Sequence, residues 1–347
     1  MAVLTDVMET YDAAAIRADI SETIFNLDPE ETPVLSNAGR RDVHNTLFQW
    51  QTESLPTSAS TNKHIEGAKI LEVDAELDAG TATTLLNNYT QISWRNATVS
   101  GTLQTVSQHA KSQEMAHQMA LRSKQLKIDI EKAILSHNPA IAGSSGTARQ
   151  TESLPHMMGR LGTAGSAWAS TDTSIYIGNA AGGGAATVVA TSATGAHTAS
   201  TTAAGSLDVM TEARFMAVAN GIWDNGGNLD TVVCNGAIKR EISDFAGRAA
   251  SQIIVSPETV ANNVTLVQTD FGDCKVMLDR HMAVTNGVDV GFIDWDYLNI
   301  AFLRPFTRQT LAKQGDADVE NLLCEFGVML SSAKAMGWMF DVNKTYA

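Results

Sequence analysis

Two short runs of alternating residues flank a polar stretch far too long for a turn, and this limits the possible folds of the chain more than any other feature. In residues 46–52, Phe48 and Trp50 fall on one face and Gln49 and Gln51 on the other, as a half-buried strand requires. In residues 90–95, Thr90, Ile92 and Trp94 share a face opposite Gln91, Ser93 and Arg95. Between the runs lies roughly 56–84, kept soluble by Glu66, Glu72, Asp74, Glu76 and Asp78. Hairpin connections are ordinarily about 2–5 residues, so these two strands make a projecting loop, and an extension of that kind usually has a partner. A surface loop without one is the alternative. Trp50 and Trp94 are candidate assembly contacts, because aromatic residues are enriched where surfaces meet; core packing accounts for them equally well.

Ahead of this extension, residues 1–41 hold a short amphipathic stretch around 11–20 and then Ile24, Phe25 and Leu27 before Pro29 and Pro33. With two prolines and little periodicity the segment reads as an arm. Its apolar residues, Ile24, Phe25, Leu27, Val34 and Leu35, call for a surface of the same chain or of a neighbour. After the extension, 106–136 is rich in Ala, Gln, Lys, Met and Leu, which favour helix. About 30 residues at ~1.5 Å each predict one helix of roughly 45 Å, stopped by His137, Asn138 and Pro139.

Residues 140–205 are rich in Gly, Ala, Ser and Thr and lack the bulk for a core, so they read as an insertion or exposed segment, with a short strand at Val188 and Val189. Order returns with a helix from an N-cap at Ser206 to Asn225. Strands follow at 231–234, 264–267 and 276–278, with a helix at 238–245, giving a mixed middle lobe. Near the C-terminus, 298–303 and the alternation of Leu322, Cys324, Phe326, Val328 and Leu330 predict sheet strands. Whether these strands meet the long helix is open at this level; such a pairing would close a lobe built from both ends of the chain.

At 347 residues the chain exceeds the ~250–300 at which single cores stop growing, so more than one lobe is expected. A formal charge of −14 with no cluster of Lys and Arg argues against wrapping nucleic acid over the whole surface. Cys234, Cys274 and Cys324 are odd in number and far apart, which fits buried thiols in a reducing compartment and neither a disulfide framework nor a zinc site. No signal peptide and no run of about 18 apolar residues occurs, so synthesis and folding in cytoplasm are expected, with no membrane partner. The eight histidines are scattered; His109 and His117 lie about two helical turns apart, too far for one ion. No nucleophile elbow is present, and the glycine run 182–184 lacks the Lys-Ser/Thr of a phosphate loop. No catalytic residue, cofactor or metal is therefore assigned.

The order of parts, an arm, a two-stranded extension, a long helix, a mixed central lobe and returning strands, resembles the α+β Hong Kong 97-type capsid fold of tailed phages. More specifically, 24–35 (IFNLDPEETPVL) followed by 48–55 (FQWQTESL) is similar to a major capsid protein family of tailed bacteriophages, with echoes in 223–227, 239–243 and 334–337. The 140–205 stretch departs from it. The resemblance implies an N-terminal arm over 1–45, an extended β loop over 46–100, and a peripheral domain with the spine helix and the insertion over 101–205. An axial domain would cover 206–290, and 291–347 would return strands to the peripheral domain.

It further implies a shell of hexamers and pentamers that encloses double-stranded DNA without sequence-specific binding, located in the virion after assembly in the host cytoplasm. Ile24, Phe25, Leu27, Trp50 and Trp94 would lie at contacts between neighbouring capsid subunits. A portal, a decoration protein and a separate scaffold are the further partners; the chain starts close to the arm, which leaves no room for a large scaffolding segment. Lys63 and Lys69 fall in the loop where some capsids cross-link, but nothing identifies a catalyst or an acceptor. A shell protein of a cellular nanocompartment of the same fold is the alternative. An enzyme whose residues converge only in three dimensions would need a concave pocket with shifted ionisable groups. A surface adhesin runs against the long helix and the lack of a secretion signal.

Overall fold

The computed structural model describes residues 29–53, 83–106, 113–161, 210–245, 265–282, 288–313 and 315–342, with short pieces at 60, 63, 66–67, 175–177, 253–256 and 259–261. In chain order the elements are α1 (Pro33–Asn37), β1 (Gly39–Asp42), β2 (Leu47–Thr52), β3 (Thr84–Tyr89), β4 (Gln91–Ser100), α2 (Gly101–Thr105), α3 (Glu114–Leu135), α4 (Leu154–Leu161), β5 (Ile175–Ile177) and α5 (Glu212–Asp224). They continue with β6 (Thr231–Cys234), α6 (Gly236–Ser243), β7 (Ile253–Ser256), β8 (Thr259–Ala261), β9 (Leu266–Thr269), β10 (Gly272–Leu278), β11 (Val288–Ile293), β12 (Leu298–Thr310), β13 (Ala317–Leu330) and β14 (Gly337–Val342).

Two sheets organise the chain. One runs β1-β12-β13-β4 and is covered by α3. Leu126, Ile130 and Ile134, four residues apart along α3, are fully buried and share a core with Cys324, Phe326 and Val328 of β13 and with Phe48, Trp50 and Leu86 of the β2–β3 hairpin. That spacing repeats a single face of a helix, and the alternation in β13 supplies the facing surface. The lobe is therefore built from both ends of the chain.

The other sheet runs β5-β14-β11-β6-β10-β9. Its β6 and β11 are buried along their whole length, because both faces are covered. Val232, Cys234, Val290 and Phe292 join a second core with Phe215, Val218 and Ile222 of α5 and Ile238 and Ile242 of α6. Val233 and Ile293, on the opposite face, belong to the core under α3. A strand buried on both faces loses the alternation of a half-buried one, so Thr231, Val232, Val233 and Cys234 read as a plain apolar run.

Several expectations need correction. The long helix is 22 residues, about 33 Å, and begins at Glu114; Gly101–Thr105 is a separate short helix capped by the Ser100 hydroxyl. The middle helix starts at Glu212 behind Thr211, whose hydroxyl accepts from the Arg214 amide, and not behind Ser206. The partner of β2 is β3, Leu47 facing Tyr89 and Thr52 facing Thr84, while the 90–95 run belongs to β4 in the four-stranded sheet. β12 and β13 pair with each other in that sheet, whereas β14 pairs with β11 in the six-stranded one. Ile24, Phe25, Leu27, Lys69, His109, Ser206, the glycine run 182–184 and the expected strand at 188–189 lie outside the described residues.

Candidate assembly surface

β4 carries the most exposed aromatic residue of the four-stranded sheet. Its register with β13 sets Trp94 opposite Leu323 and Arg95 opposite Leu322. Arg95 points to the helix side, where Nε and Nη2 donate to Asp129 Oδ2 and Oδ1 of α3 at 2.6 and 2.8 Å. The alternate residues must then face away from α3, and Trp94 is 55% and Ile92 44% exposed. The face expected from the alternation to be apolar is thus the outer one, and among the described residues its apolar side chains lack cover. Trp50 is placed differently: it is only 7% exposed, stacks on Phe48 at 5.8 Å, and sits in the core under α3.

Beyond Phe302, β12 has lost its neighbour β1 and continues as an exposed edge strand. Pro305 lies there, within the register shift between Arg304 and Thr307, consistent with the confinement of a residue lacking an N–H to edges and bulges. The outer parts of β12, β13 and β4 form a three-stranded tongue. Ion pairs line it: Arg308 donates to both oxygens of Glu320 at 2.7 and 2.6 Å, and Lys313 Nζ lies 2.7 Å from Asp318 Oδ1. Exposed pairs of this kind contribute little stability, but they leave the tongue an ordered, charged surface.

Where the tongue joins the body, Glu325 is buried and serves three side chains. Its Oε1 accepts from the Thr90 hydroxyl at 2.9 Å and from Arg149, and its Oε2 accepts from Arg304 Nε at 2.8 Å. Arg149 also donates to the Thr90 carbonyl at 3.0 Å. Asn88 performs a similar junction beside it, donating to the Val328 and Glu152 carbonyls and accepting from the Glu152 and Tyr89 amides. These contacts hold the β3–β4 corner, the 141–151 segment and β13 together. None was read from the sequence, since a lone Glu between Cys324 and Phe326 looks the same whether it meets solvent or two arginines.

The remaining buried polar groups join elements. His137 Nε2 lies 2.9 Å from Asp289 Oδ2, which also accepts from Trp338 Nε1 at 3.0 Å, tying the end of α3 to β11 and β14. His156 Nδ1 lies 2.7 Å from Glu152 Oε1. Glu131 of α3 accepts from the Val34 and Leu35 amides, each at 2.7 Å. Burial pushes the Cys234 and Cys324 thiols up to about 12, so both stay protonated and act as small apolar groups. Burial raises Asp294, with Asp230 and Asp296 nearby adding to the effect. Among the described residues no group of three His, Cys, Asp or Glu side chains could hold a metal ion, and no helix is long and apolar enough to cross a membrane.

Residues 5–343 match the SU10 major capsid protein family. The major capsid protein of Escherichia phage Phieco32 is 28% identical over 175 residues, 45% of this chain and 48% of that protein, so the chain matches about half the length of this relative. The solved capsid of a native GTA particle is similar at a TM-score of 0.59 and 13% identity, covering 95% of this chain and 96% of that one. A Mycobacterium phage Bobi structure gives 0.57 at 11% identity, covering 95% and 97%. The SrpI encapsulin complex of Synechococcus elongatus gives 0.53 at 7% identity, covering 95% and 94%. At such identities the likeness is one of fold, the α+β Hong Kong 97-type architecture expected from the order of parts. With that fold and a family match along nearly its whole length, the chain belongs to the SU10 major capsid protein family.

Proposed function

We propose that this protein assembles with copies of itself into the icosahedral head of a tailed phage, as hexamers and pentamers around double-stranded DNA. The observation that carries this is the family match over residues 5–343. The uncovered Ile92–Trp94 face and the projecting tongue agree with it, since both present ordered surface that a neighbouring subunit would cover. Trp94 is the assembly contact best supported by its placement, with Ile24, Phe25 and Leu27 of the arm as further contacts. Trp50 serves the core of its own subunit first. The division into arm (1–45), extended loop (46–100), peripheral domain (101–205), axial domain (206–290) and returning strands (291–347) is retained as the working description, with β14 lending a strand to the axial sheet. A separate scaffold, a portal and a decoration protein complete the assembly, which takes place in the host cytoplasm. No enzymatic step is part of this reading.

Many identical contacts in a closed symmetric shell allow weak interfaces to act together. Electron microscopy and analytical ultracentrifugation of the purified chain, with and without candidate scaffold, test the proposal. Shells, hexamers or pentamers are expected; a homogeneous monomer under both conditions would overturn it. The likeness to an encapsulin supports one second reading, a nanocompartment shell. Particles purified from the native source separate the two, because nuclease-protected DNA marks a phage head and an enclosed enzyme marks a compartment.

A further inference from the structure

β6 and β10 lie side by side and parallel, Thr231 opposite Lys275 and Cys234 opposite Leu278, so their lobe has one end of strand starts and one of strand ends. The two ends differ in charge. At the starts, α5 closes with Trp223 and Asp224, and Trp223 meets Phe271 of the β9–β10 turn with ring centroids 5.9 Å apart. Trp223 is 58% exposed in spite of that contact. Asp224, Asp270 and Asp273 stand beside the two rings, all exposed. Antiparallel β11 sets Ile293 opposite Thr231, which brings Asp294 to the same end as Asp230. Lys275 is the cation next to them.

At the strand ends, roughly 17 Å along β10 from Asp273, Leu278 is 43% exposed and Arg280 is exposed, with Asp279 between them turned inward. Helix α6 starts there, capped by Asn235 directly after Cys234. The Met210 amide donates to Glu241 Oε2 at 3.3 Å, so the start of α5 lies at this end as well. In that helix pair Arg214, Lys239 and Arg240 are matched by Glu212, Glu241 and Asp244, which leaves Arg280 beside Leu278 as the uncompensated charge.

We propose that copies of this chain dock head to tail through these two ends, the Trp223 ring and the aspartates beside it in one copy receiving Leu278 and Arg280 of the next. A guanidinium is attracted both to an indole face and to carboxylates, and Leu278 gives the exposed rings an apolar cover. Two acidic ends would repel each other, whereas the acidic and cationic ends fit, and every copy carries both. That complementarity selects a second copy as the occupant. A contact between unlike surfaces closes a ring when its rotation divides the circle; the inference rests on the shell reading and assigns it the contact that builds hexamers and pentamers.

Cross-linking within assembled shells tests it. Asn225→Cys beside the acidic end and Leu278→Cys at the other are joined by a short bis-maleimide; the three native cysteines are buried and do not compete. On a denaturing gel the double variant should give a ladder that stops at the hexamer, while each single variant stays monomeric. A ladder from either single variant, no ladder from the double one, or a ladder running past the hexamer would overturn the head-to-tail contact and leave the shell reading standing. A chain that forms no oligomer, with or without candidate scaffold, would overturn both. In parallel, Arg280→Glu and Asp273→Lys should each lower shell yield about tenfold, and the two together should restore it; a combined variant as poor as either alone would remove that charge pair from the contact.

Discussion

The two tryptophans of the extension show how little a residue's type says about its role until its face is known. Trp50 fills a core and Trp94 stands outside one. Trp50→Ala should lower stability by about 3–5 kcal/mol in chemical denaturation, the usual range for emptying a buried aromatic site. Trp94→Ser should change stability by less than about 0.5 kcal/mol and yet reduce the yield of shells seen by electron microscopy; normal shell yield would remove Trp94 from the contacts. Glu325→Ala should cost about 1–3 kcal/mol, because it strips a buried acceptor from Arg149, Arg304 and Thr90. The value lies below that of a fully buried pair, since the Arg304 side chain is half exposed and water can solvate it.

At the scale of elements, close approach between strands and rings decides what a position tolerates. A Cβ at Gly327 of β13 would lie 2.5 Å from the Phe48 ring, and one at Gly291 of β11 would lie 2.6 Å from the Trp338 ring. Both rings are buried, so neither can swing aside. Gly327→Ala and Gly291→Ala should each destabilise by about 1–3 kcal/mol through overpacking. Gly146, with nothing within 4 Å, is the control, and its alanine variant should fall within about 0.5 kcal/mol of the parent in the same unfolding measurement. A loss at Gly146 as large as at Gly327 would point to backbone freedom, not ring contact, as the cause.

For the whole molecule, the acids buried between sheet and helix set a dependence on pH. Glu131 takes up its proton more readily in the folded chain than in the unfolded one, where 4.5 is the ordinary value. Between about 4.5 and about 8 the folded state therefore holds the extra proton, and stability falls as pH rises through that window and levels off above it. Thermal unfolding from about pH 5 to about pH 9 should show this decline, and Glu131→Gln should flatten it. A native profile as flat as that of Glu131→Gln would mean that Glu131 is already ionised near its ordinary value.

The sequence by itself determined the local elements whose signal lies in a short window: β2 and β13 by alternation, α3 by a run of helix-favouring residues, and the order of parts that resembles a capsid fold. It offered no catalytic motif at a useful spacing, and left open residues that converge only in three dimensions. Only the tertiary structure decided that β2 pairs with β3, that Ile92 and Trp94 face outward, and that Glu325, Glu131 and Asp279 are buried among partners. Alternation separates two faces without saying which one is covered, and a strand covered on both faces, such as β6 or β11, carries no alternation at all. Glu131 lies 97 residues from Val34, and Glu325 lies 176 from Arg149; contacts at such separations arise from how sheets and helix pack, and no local pattern records them.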